Sequence, residues 1–370
     1  MHYLRLLVAA VMFAGGPVLA GPFEEGAAAY KRQDYATALK LFRPLATAGD
    51  AGLQFVLGVM YRGGQGVPKN DVQAAAWYRK AAEQGHPNAQ ATLGWIYTEG
   101  QGVPKDDQQA ASWFRKAAEG GHPEAQFLVG VMHDRGRGAP KDDQQAASWY
   151  RKAAEQGLAD AQFNLCGMYK DGQGIPKNDA QAAAWCRKAA EQGHAQAQNN
   201  LGNAYADGRG VPKDDQQAAA WFRRAAEQGL ASAQTNLGDS YANGLGVPTD
   251  NEQALSWRRK AAEQGHAQAQ NNLGTMYADG IGVPKNDRQA ASWYRKAAEQ
   301  GYALAQFNIG TSYAFGRGVP TDLEQAYFWL LLASVDGDAL AIKNRDVVEA
   351  SLTRQQRAAA QAEVRDWKPR

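Results

Sequence analysis

Cysteine and histidine are the side chains that most often carry nucleophilic or metal chemistry, and this chain has few of either. Four of its six histidines fall 36 residues or twice that apart: His86, His122, His194 and His266. Side chains so widely and regularly spaced do not gather around one metal ion, so we expect them to pack at the surface or between repeated units. The sequence contains no H-E-x-x-H, S-x-x-K or G-x-S-x-G motif. We therefore predict a protein that is not an enzyme and has no metal site.

Short Gly-x-Gly segments such as Gly100–Gly102 resemble phosphate-binding loops, but they lack the Gly-Lys-Ser/Thr ending and are followed by Val-Pro. This pattern is typical of a firm turn between two helices. No paired carboxylates stand out apart from aspartates placed to cap helices. No cofactor is predicted.

The elements behind these residues are copies of one 36-residue unit, which runs head to tail eight times from Ala51 to Asp338. One tryptophan marks each copy: Trp77, Trp113, Trp149, Trp185, Trp221, Trp257, Trp293 and Trp329. Self-similarity at a fixed period of this length indicates a solenoid. Positions are numbered below from 1 to 36 within each repeat, starting at Ala51.

Each repeat is predicted to hold two antiparallel helices, called A and B here. In Ala195–Leu230, the apolar spacing predicts helix A to about Ala206, and Gly208 supplies a left-handed C-terminal residue. Asp214 then caps helix B, with Gln217 at the spacing of a capping box. Lysine and arginine at positions 29 and 30 are expected on the solvated side of helix B.

The two ends of the chain depart from the repeat. Residues 1–20 have the basic start, short apolar run and small-residue cleavage site of a secretory signal peptide. Residues 21–50 are predicted to form an N-terminal capping hairpin. Residues 339–370 are predicted to form C-terminal capping helices, because the position 29 and 30 residues of the eighth repeat are Leu331 and Leu332 and need a cover.

Charge excludes one class of partner. Lysine and arginine alternate with aspartate and glutamate in every repeat, and the net charge is only +2. No one-signed face is left for nucleic acid. No later stretch is apolar enough to span a membrane, and no cysteine follows the cleavage site to carry a lipid. We expect a periplasmic or secreted protein, and the sequence leaves its oligomeric state open, with a monomer favoured.

Both cysteines, Cys166 and Cys186, lie in the fourth repeat. Cys166 stands at position 8, where the other repeats carry glycine, and Cys186 at position 28, where most carry tyrosine or phenylalanine. Position 8 must be small because helix B presses on it there, so the two departures can compensate each other. A disulfide is the favoured interpretation in an oxidising compartment; two buried thiols are the alternative, and a catalytic thiol is disfavoured.

The repeat motif A-x-A-Q-x-x-L-G-x-x-Y-x-x-G-x-G-V-P-x-D-x-x-Q-A-x-x-W-x-x-x-A-A-x-x-G resembles the Sel-one-like repeat (SLR) family, a relative of the tetratricopeptide repeat. The resemblance covers residues 51–338. It implies an all-α fold, a right-handed α-solenoid superhelix used for protein–protein interaction. A cysteine-rich branch of the family has been associated with β-lactam binding or hydrolysis, but it carries two cysteines in each repeat, and this chain carries two in all.

In tetratricopeptide-like superhelices helix A lines the concave side, so positions 5, 6, 9 and 12 are expected to face a ligand. Positions 5, 6 and 9 read apolar and aromatic in the first half of the chain and asparagine-rich in the second. The candidate partner-binding residues are Trp95, Asn164, Asn200, Asn203, Asn236, Asp239, Asn272 and Asn308. An asparagine row can hold the backbone of an extended peptide, or it can be structural, with each side chain bonding the next repeat.

The leading hypothesis is an exported scaffold that binds a peptide or a partner protein. One alternative is a hydrolase of β-lactam or cell-wall amides. Another is a glycan-binding solenoid that uses tryptophan and asparagine side chains on sugar rings and hydroxyls.

Overall fold

The structure is a computed structural model that describes residues 21–335 and 337–369. Within these ranges the chain forms 20 α-helices and no strands. The predicted signal peptide lies outside the described residues.

The helices follow the predicted pairs. The N-terminal hairpin consists of α1 (Pro22–Lys31) and α2 (Tyr35–Thr47). The A helices are α3 (Ala51–Gly63), α5 (Pro87–Glu99), α7 (Pro123–Arg135), α9 (Ala159–Asp171), α11 (Ala195–Asp207), α13 (Ala231–Asn243), α15 (Ala267–Asp279) and α17 (Ala303–Phe315). The B helices are α4 (Asp71–Glu83), α6 (Asp107–Glu119), α8 (Asp143–Glu155), α10 (Asp179–Glu191), α12 (Asp215–Glu227), α14 (Asn251–Glu263), α16 (Asp287–Glu299) and α18 (Leu323–Ala333). The last two helices are α19 (Ala339–Glu349) and α20 (Arg354–Asp366).

The chain divides into two compact units, one ending at Trp185 and the other beginning at Cys186, within α10. In the first unit, each helix from α1 to α8 packs against the next helix along the chain. In the second unit the same holds for each helix from α11 to α18, and α20 also packs on α18. Each unit is thus a stack of antiparallel helix pairs.

Close packing inside a pair depends on the glycine at position 8. A Cβ atom added to Gly130 would lie 2.6 Å from the Tyr150 ring, and one added to Gly202 would lie 2.5 Å from the Phe222 ring. Contacts this short do not occur between real atoms, so helix A must expose bare backbone to the large position 28 side chain. The small residue predicted at this position is confirmed.

The connectors behave as turns. Gly208 ends α11 with φ +69°, in the left-handed region, and its amide belongs to the turn that closes the helix. Gly102 has φ +72°, and a Cβ there would lie 2.2 Å from the Asp71 carbonyl oxygen of the preceding repeat. The Gly-x-Gly segments are therefore shaped by close backbone approach.

The B helices are capped by the predicted aspartates and asparagines. The backbone N–H of Gln217 donates to Asp214 Oδ1 at 3.0 Å, and the backbone N–H of Gln73 donates to Asn70 Oδ1 at 3.0 Å. Each bond satisfies one of the amide groups that a helix start leaves without a partner.

Histidines cap three of the A helices. Nδ1 of His86, His122 and His194 accepts the backbone amide three residues on, at 3.2, 3.4 and 3.2 Å. An imidazole can accept this bond only when Nδ1 is unprotonated, so the neutral ring is the form that supports the helix start. Burial also lowers the pKa of His86 and His122 below the ordinary value.

We therefore expect the protein to lose stability as the pH falls from about 7.5 to about 5. Unfolded histidines take up protons at a higher pH than these folded ones, so their contribution is complete above the unfolded pKa and is lost as the pH falls through the folded values. Replacing His86 and His122 together by asparagine, which caps without titrating, should flatten the dependence. Denaturant unfolding at several pH values checks this, and an unchanged slope would contradict it.

The cations at positions 29 and 30, which were expected only to face solvent, also contact aromatic side chains. Lys152 Nζ at position 30 lies 3.8 Å from the centroid of the Trp149 ring, and the same stacking recurs at Lys116 on Trp113 at 4.1 Å. At position 29, Arg151 donates to the Tyr169 hydroxyl of the next repeat at 2.7 Å. The lysine contacts lie within one B helix, whereas the Arg151 bond joins helix B to helix A of the next repeat.

The apolar end of the eighth repeat is covered by the two final helices. Both α19 and α20 pack on α18, and the Trp329 and Trp367 rings meet edge to face with centroids 6.4 Å apart. Leu331 and Leu332 are half-buried, while Leu330 at position 28 is fully buried and lies against Gly310 of α17.

Candidate functional site

The surface on which function was predicted is the row of A-helix residues at positions 6, 9 and 12, called the A-helix face below. Position 5, which was also expected to face a ligand, does not belong to it. Phe55 is 2% exposed and stacks on the His86 ring with centroids 5.0 Å apart. Thr235 and Asn271 are equally buried. The expectation was wrong at these residues because position 5 faces the helix B partner and the next repeat.

Trp95 is the exposed aromatic of the A-helix face in the first unit. Its side chain is 47% exposed, and its inner edge meets the Phe114 ring at a centroid distance of 5.7 Å in an edge-to-face contact. An aromatic held on one side and open on the other is pre-oriented, so binding a partner costs it little conformational entropy.

The repeat pattern indicates which residues lie beside Trp95. In the second unit, positions 9 and 6 of consecutive repeats meet, since Asn236 Nδ2 donates to Asn203 Oδ1 at 3.2 Å. The equivalent positions in the first unit are held by Trp95 and Leu128, and Leu128 is half-buried. Val131 at position 9 and Thr92 at position 6 are the next residues of the face, and both are half-buried. Apart from Thr92, positions 6 and 9 are apolar here, and the Trp95 ring projects from them.

The asparagines of the second unit bond one another. Asn236 Nδ2 donates to Asn199 Oδ1 at 3.0 Å as well as to Asn203, and Asn308 Nδ2 donates to Asn271 Oδ1 at 2.8 Å. These bonds join side chains of successive repeats, rather than a side chain and the backbone of the next repeat. They favour the structural interpretation of Asn236 and Asn308.

Asp239 and Arg258 form a half-buried ion pair beneath the same face. Arg258 Nη2 donates to Asp239 Oδ1 at 2.7 Å, with the two side chains 13% and 27% exposed. Asn272 Nδ2 donates to the same oxygen at 3.1 Å. Arg258 occupies position 28, so the sixth repeat replaces the usual aromatic by an arginine and supplies its carboxylate from position 9. The geometry assigns Asp239 a partner within its own repeat.

Asn200 and Asn164 are half-buried on helices α11 and α9, and Asn203, which accepts from Asn236, is exposed. A role of any of the eight candidates in partner binding stays a prediction.

Sequence reasoning missed a ladder of buried glutamines at position 4. Gln126 Nε2 donates to the Ala118 carbonyl of the preceding helix at 3.1 Å, and Gln126 Oε1 accepts from Gln156 Nε2 at 2.8 Å. The same pair of bonds recurs at Gln234 and Gln270. The glutamine in the A-x-A-Q motif was visible, and its polarity on an otherwise apolar stripe was the signal for a buried bond.

The predicted disulfide is present. Cys166 and Cys186 are both disulfide-bonded, and neither is a free thiol. A disulfide persists in an oxidising compartment and closes a loop of the unfolded chain.

The described residues contain neither a cluster of metal-binding side chains nor a membrane-spanning helix. Residues 21–335 and 337–369 hold no group of three or more histidine, cysteine, aspartate or glutamate side chains arranged for a metal ion. Among the helices described, none has the length and apolar character needed to cross a membrane.

These stacked helix pairs define the chain as an α-solenoid repeat protein. The Sel1 repeat family matches nine segments: residues 20–50, 53–86, 87–122, 123–158, 159–194, 195–230, 231–266, 267–302 and 303–338. The chain belongs to the Sel1 repeat family. The match includes the N-terminal hairpin, which the family counts as a repeat. No curated protein matches the chain.

Two solved structures resemble this one over most of their length. One is a protective antigen present in uropathogenic Escherichia coli strains, described as displaying an SLR fold, with 33% identity and a TM-score of 0.64 over 94% of this chain and 91% of the antigen. The other is a Sel1 repeat protein from Oxalobacter formigenes, with 31% identity and a TM-score of 0.63 over 91% of this chain and 98% of that protein. Solenoids of this family generally mediate protein–protein interaction, and the scaffold is generally non-enzymatic.

Proposed function

We propose that this protein is an exported, non-enzymatic scaffold that binds a partner protein or peptide on the A-helix face of its first unit. The observation that carries the proposal is Trp95, a half-exposed ring on a surface whose other apolar side chains are at least partly buried. Exposed, pre-oriented tryptophans are enriched among residues that dominate binding energy.

The surroundings of Trp95 favour an apolar contact. Leu128 and Val131 supply aliphatic surface beside the ring, and Thr92 adds one hydroxyl. A peptide segment with a large apolar side chain would bury this surface against the ring. The asparagine-rich A-helix face of the second unit is proposed as a separate, polar binding segment, in which Asn203 is exposed and Asn200, Asn236, Asn272 and Asn308 are half-buried.

Export is supported by the disulfide and by the kinship with an antigen of uropathogenic strains. The basic and apolar start of residues 1–20 fits the same destination.

Replacing Trp95 by alanine is expected to weaken partner capture by about thirtyfold, the loss typical of a tryptophan that anchors an interface. The mature chain and the variant are used as baits in cross-linking pull-downs from a cell-envelope extract. Phe315→Ala is the matched control, because Phe315 is also an exposed aromatic at 67% but lies at the end of α17 in the second unit.

Loss of one protein band with Trp95→Ala, retention with Phe315→Ala, and unchanged helical circular dichroism in both would support the proposal. Recovery of the same partners by both variants would contradict it. Loss of a glycan and of no protein would favour the glycan-binding alternative instead.

A further inference from the structure

The first helix after the repeats, α19, occupies the place of a ninth A helix without a B helix beside it. Its first residue, Ala339, lies 36 residues after Ala303, the first residue of α17. In the first three and the last four full repeats, the A helix packs most extensively on the B helix of the same repeat. Here the following helix, α20, packs on α18 instead. The side of α19 that a B helix would cover is open.

The open side can be identified by repeat position. Position 8 faces helix B, as Gly130 faces Tyr150, and position 4 bonds to helix B, as Gln126 bonds to Gln156. On α19 these positions are Asp346 and Ile342. They belong to an open surface that also includes four further residues of α19 and Gly337, which precedes the helix. The α19 surface, as the helical part is called below, consists of Ala339, Ile342, Lys343, Asp346, Val347 and Ala350.

The surface is apolar enough to need a cover. Val347 is 64% exposed, and Leu340, about two helical turns before it on the same side of α19, is 63% exposed. Two large aliphatic side chains so exposed on one side of a helix are unusual. Lys343 is exposed and has no ion pair within the described residues. Asp346 is exposed and already pairs with Arg345, whose Nε and Nη2 donate to Asp346 Oδ1 at 2.9 and 2.6 Å. Both bonds go to Oδ1, so Oδ2 is the oxygen that a second cation would contact.

The six residues form a palindrome of chemical types about the midpoint of the helix, between residues 344 and 345. Residues at equal distances from this midpoint are two alanines, two branched aliphatics, and one cation with one anion. The pairs are Ala339 with Ala350, Ile342 with Val347, and Lys343 with Asp346. A pattern of this kind is complementary to itself when the helix is reversed.

We propose that the α19 surface binds the same surface of a second copy of this chain, with the two helices antiparallel across a twofold axis. The axis passes through the midpoint, so the contact between Lys343 of one copy and Asp346 of the other is made twice, and Ile342 meets Val347. The alanines at both ends let the helix backbones approach closely. The charges set the direction of pairing, because parallel helices would place like charges together. This inference is independent of the proposed partner site on the first unit.

Sedimentation velocity of the mature chain over a wide concentration range tests the proposal, and a dimer is expected to form as the concentration rises. Lys343→Asp alone and Asp346→Lys alone each oppose like charges at two places and should weaken dimerisation by at least about tenfold. Mixing the two variants should restore a dimer. In the mixed dimer the introduced aspartate of one variant meets the introduced lysine of the other, and the two unchanged residues, Asp346 and Lys343, also meet.

Helical circular dichroism confirms that both variants fold, and the restored mixed dimer would exclude simple misfolding. A mature chain that stays monomeric throughout would overturn the proposal and would leave the surface to a different protein. A dimer that survives both charge variants, or two variants that fail to associate when mixed, would also overturn it.

Discussion

Gly130→Ala is expected to lower the free energy of unfolding by about 1–3 kcal/mol, although alanine is the better helix former. The added Cβ would lie 2.6 Å from the Tyr150 ring, inside a pair whose aromatic is 1% exposed and has no room to move outward. Either the ring leaves its rotamer or the two helices separate, and each repacking costs contacts along the pair.

The chain contains a matched control for this substitution. Gly167 also lies within an A helix of the first unit, but a Cβ added there meets nothing within 4 Å. Gly167→Ala should therefore raise the free energy of unfolding by about 0.5–1 kcal/mol, through helix propensity alone. Urea unfolding followed by circular dichroism compares the two variants. Equal effects of the same sign would show that the position 8 contact does not limit the packing.

Asp239→Ala is expected to cost about 3 kcal/mol, because it leaves the Arg258 guanidinium half-buried without its carboxylate. Arg258 is only 13% exposed and has both of its bonds to Asp239 Oδ1, at 2.7 and 3.1 Å. The same substitution also removes the acceptor of Asn272. A buried charge that loses its partner is penalised more than the pair had gained by forming.

The seventh repeat supplies the control. There, Tyr294 at position 28 donates its hydroxyl to Thr275 at position 9, at 3.2 Å. The double variant Asp239→Thr/Arg258→Tyr transfers this neutral pair into the sixth repeat and should fall within about 1 kcal/mol of the native stability. If Asp239→Ala alone is as stable as the native chain, the ion pair contributes nothing to the fold.

Much of the fold could be predicted from the sequence, because residues that recur together at two positions of the repeat indicate a contact between its two helices. Glycine at position 8 and a large residue at position 28 recur together, so their contact could be inferred without a structure, and the disulfide followed from one repeat that changed both. The Asp239–Arg258 pair carried a weaker signal, because Arg258 departs from the usual aromatic at position 28 whereas position 9 varies in most repeats.

Other features could not be read from residue types. The histidine caps were missed because histidine is an uncommon capping residue, and its role depends on which ring nitrogen meets the helix start. The burial of position 5 depends on how deeply consecutive repeats overlap, which a spacing of residues does not reveal. Whether an asparagine faces a ligand or a neighbouring asparagine depends on the same overlap, as Asn236 shows through its bonds to Asn199 and Asn203.

The most direct test of the central claim is site-specific photo-cross-linking in a cell-envelope extract. A photoreactive side chain is placed at Leu128, on the A-helix face beside Trp95, and in a second variant at Glu119, an exposed residue at the end of α6. We predict a protein adduct from Leu128 that is absent from Glu119 and disappears when Trp95 is also replaced by alanine. Adducts from Glu119 alone, or from both positions regardless of Trp95, would contradict the account and place binding on the B helices.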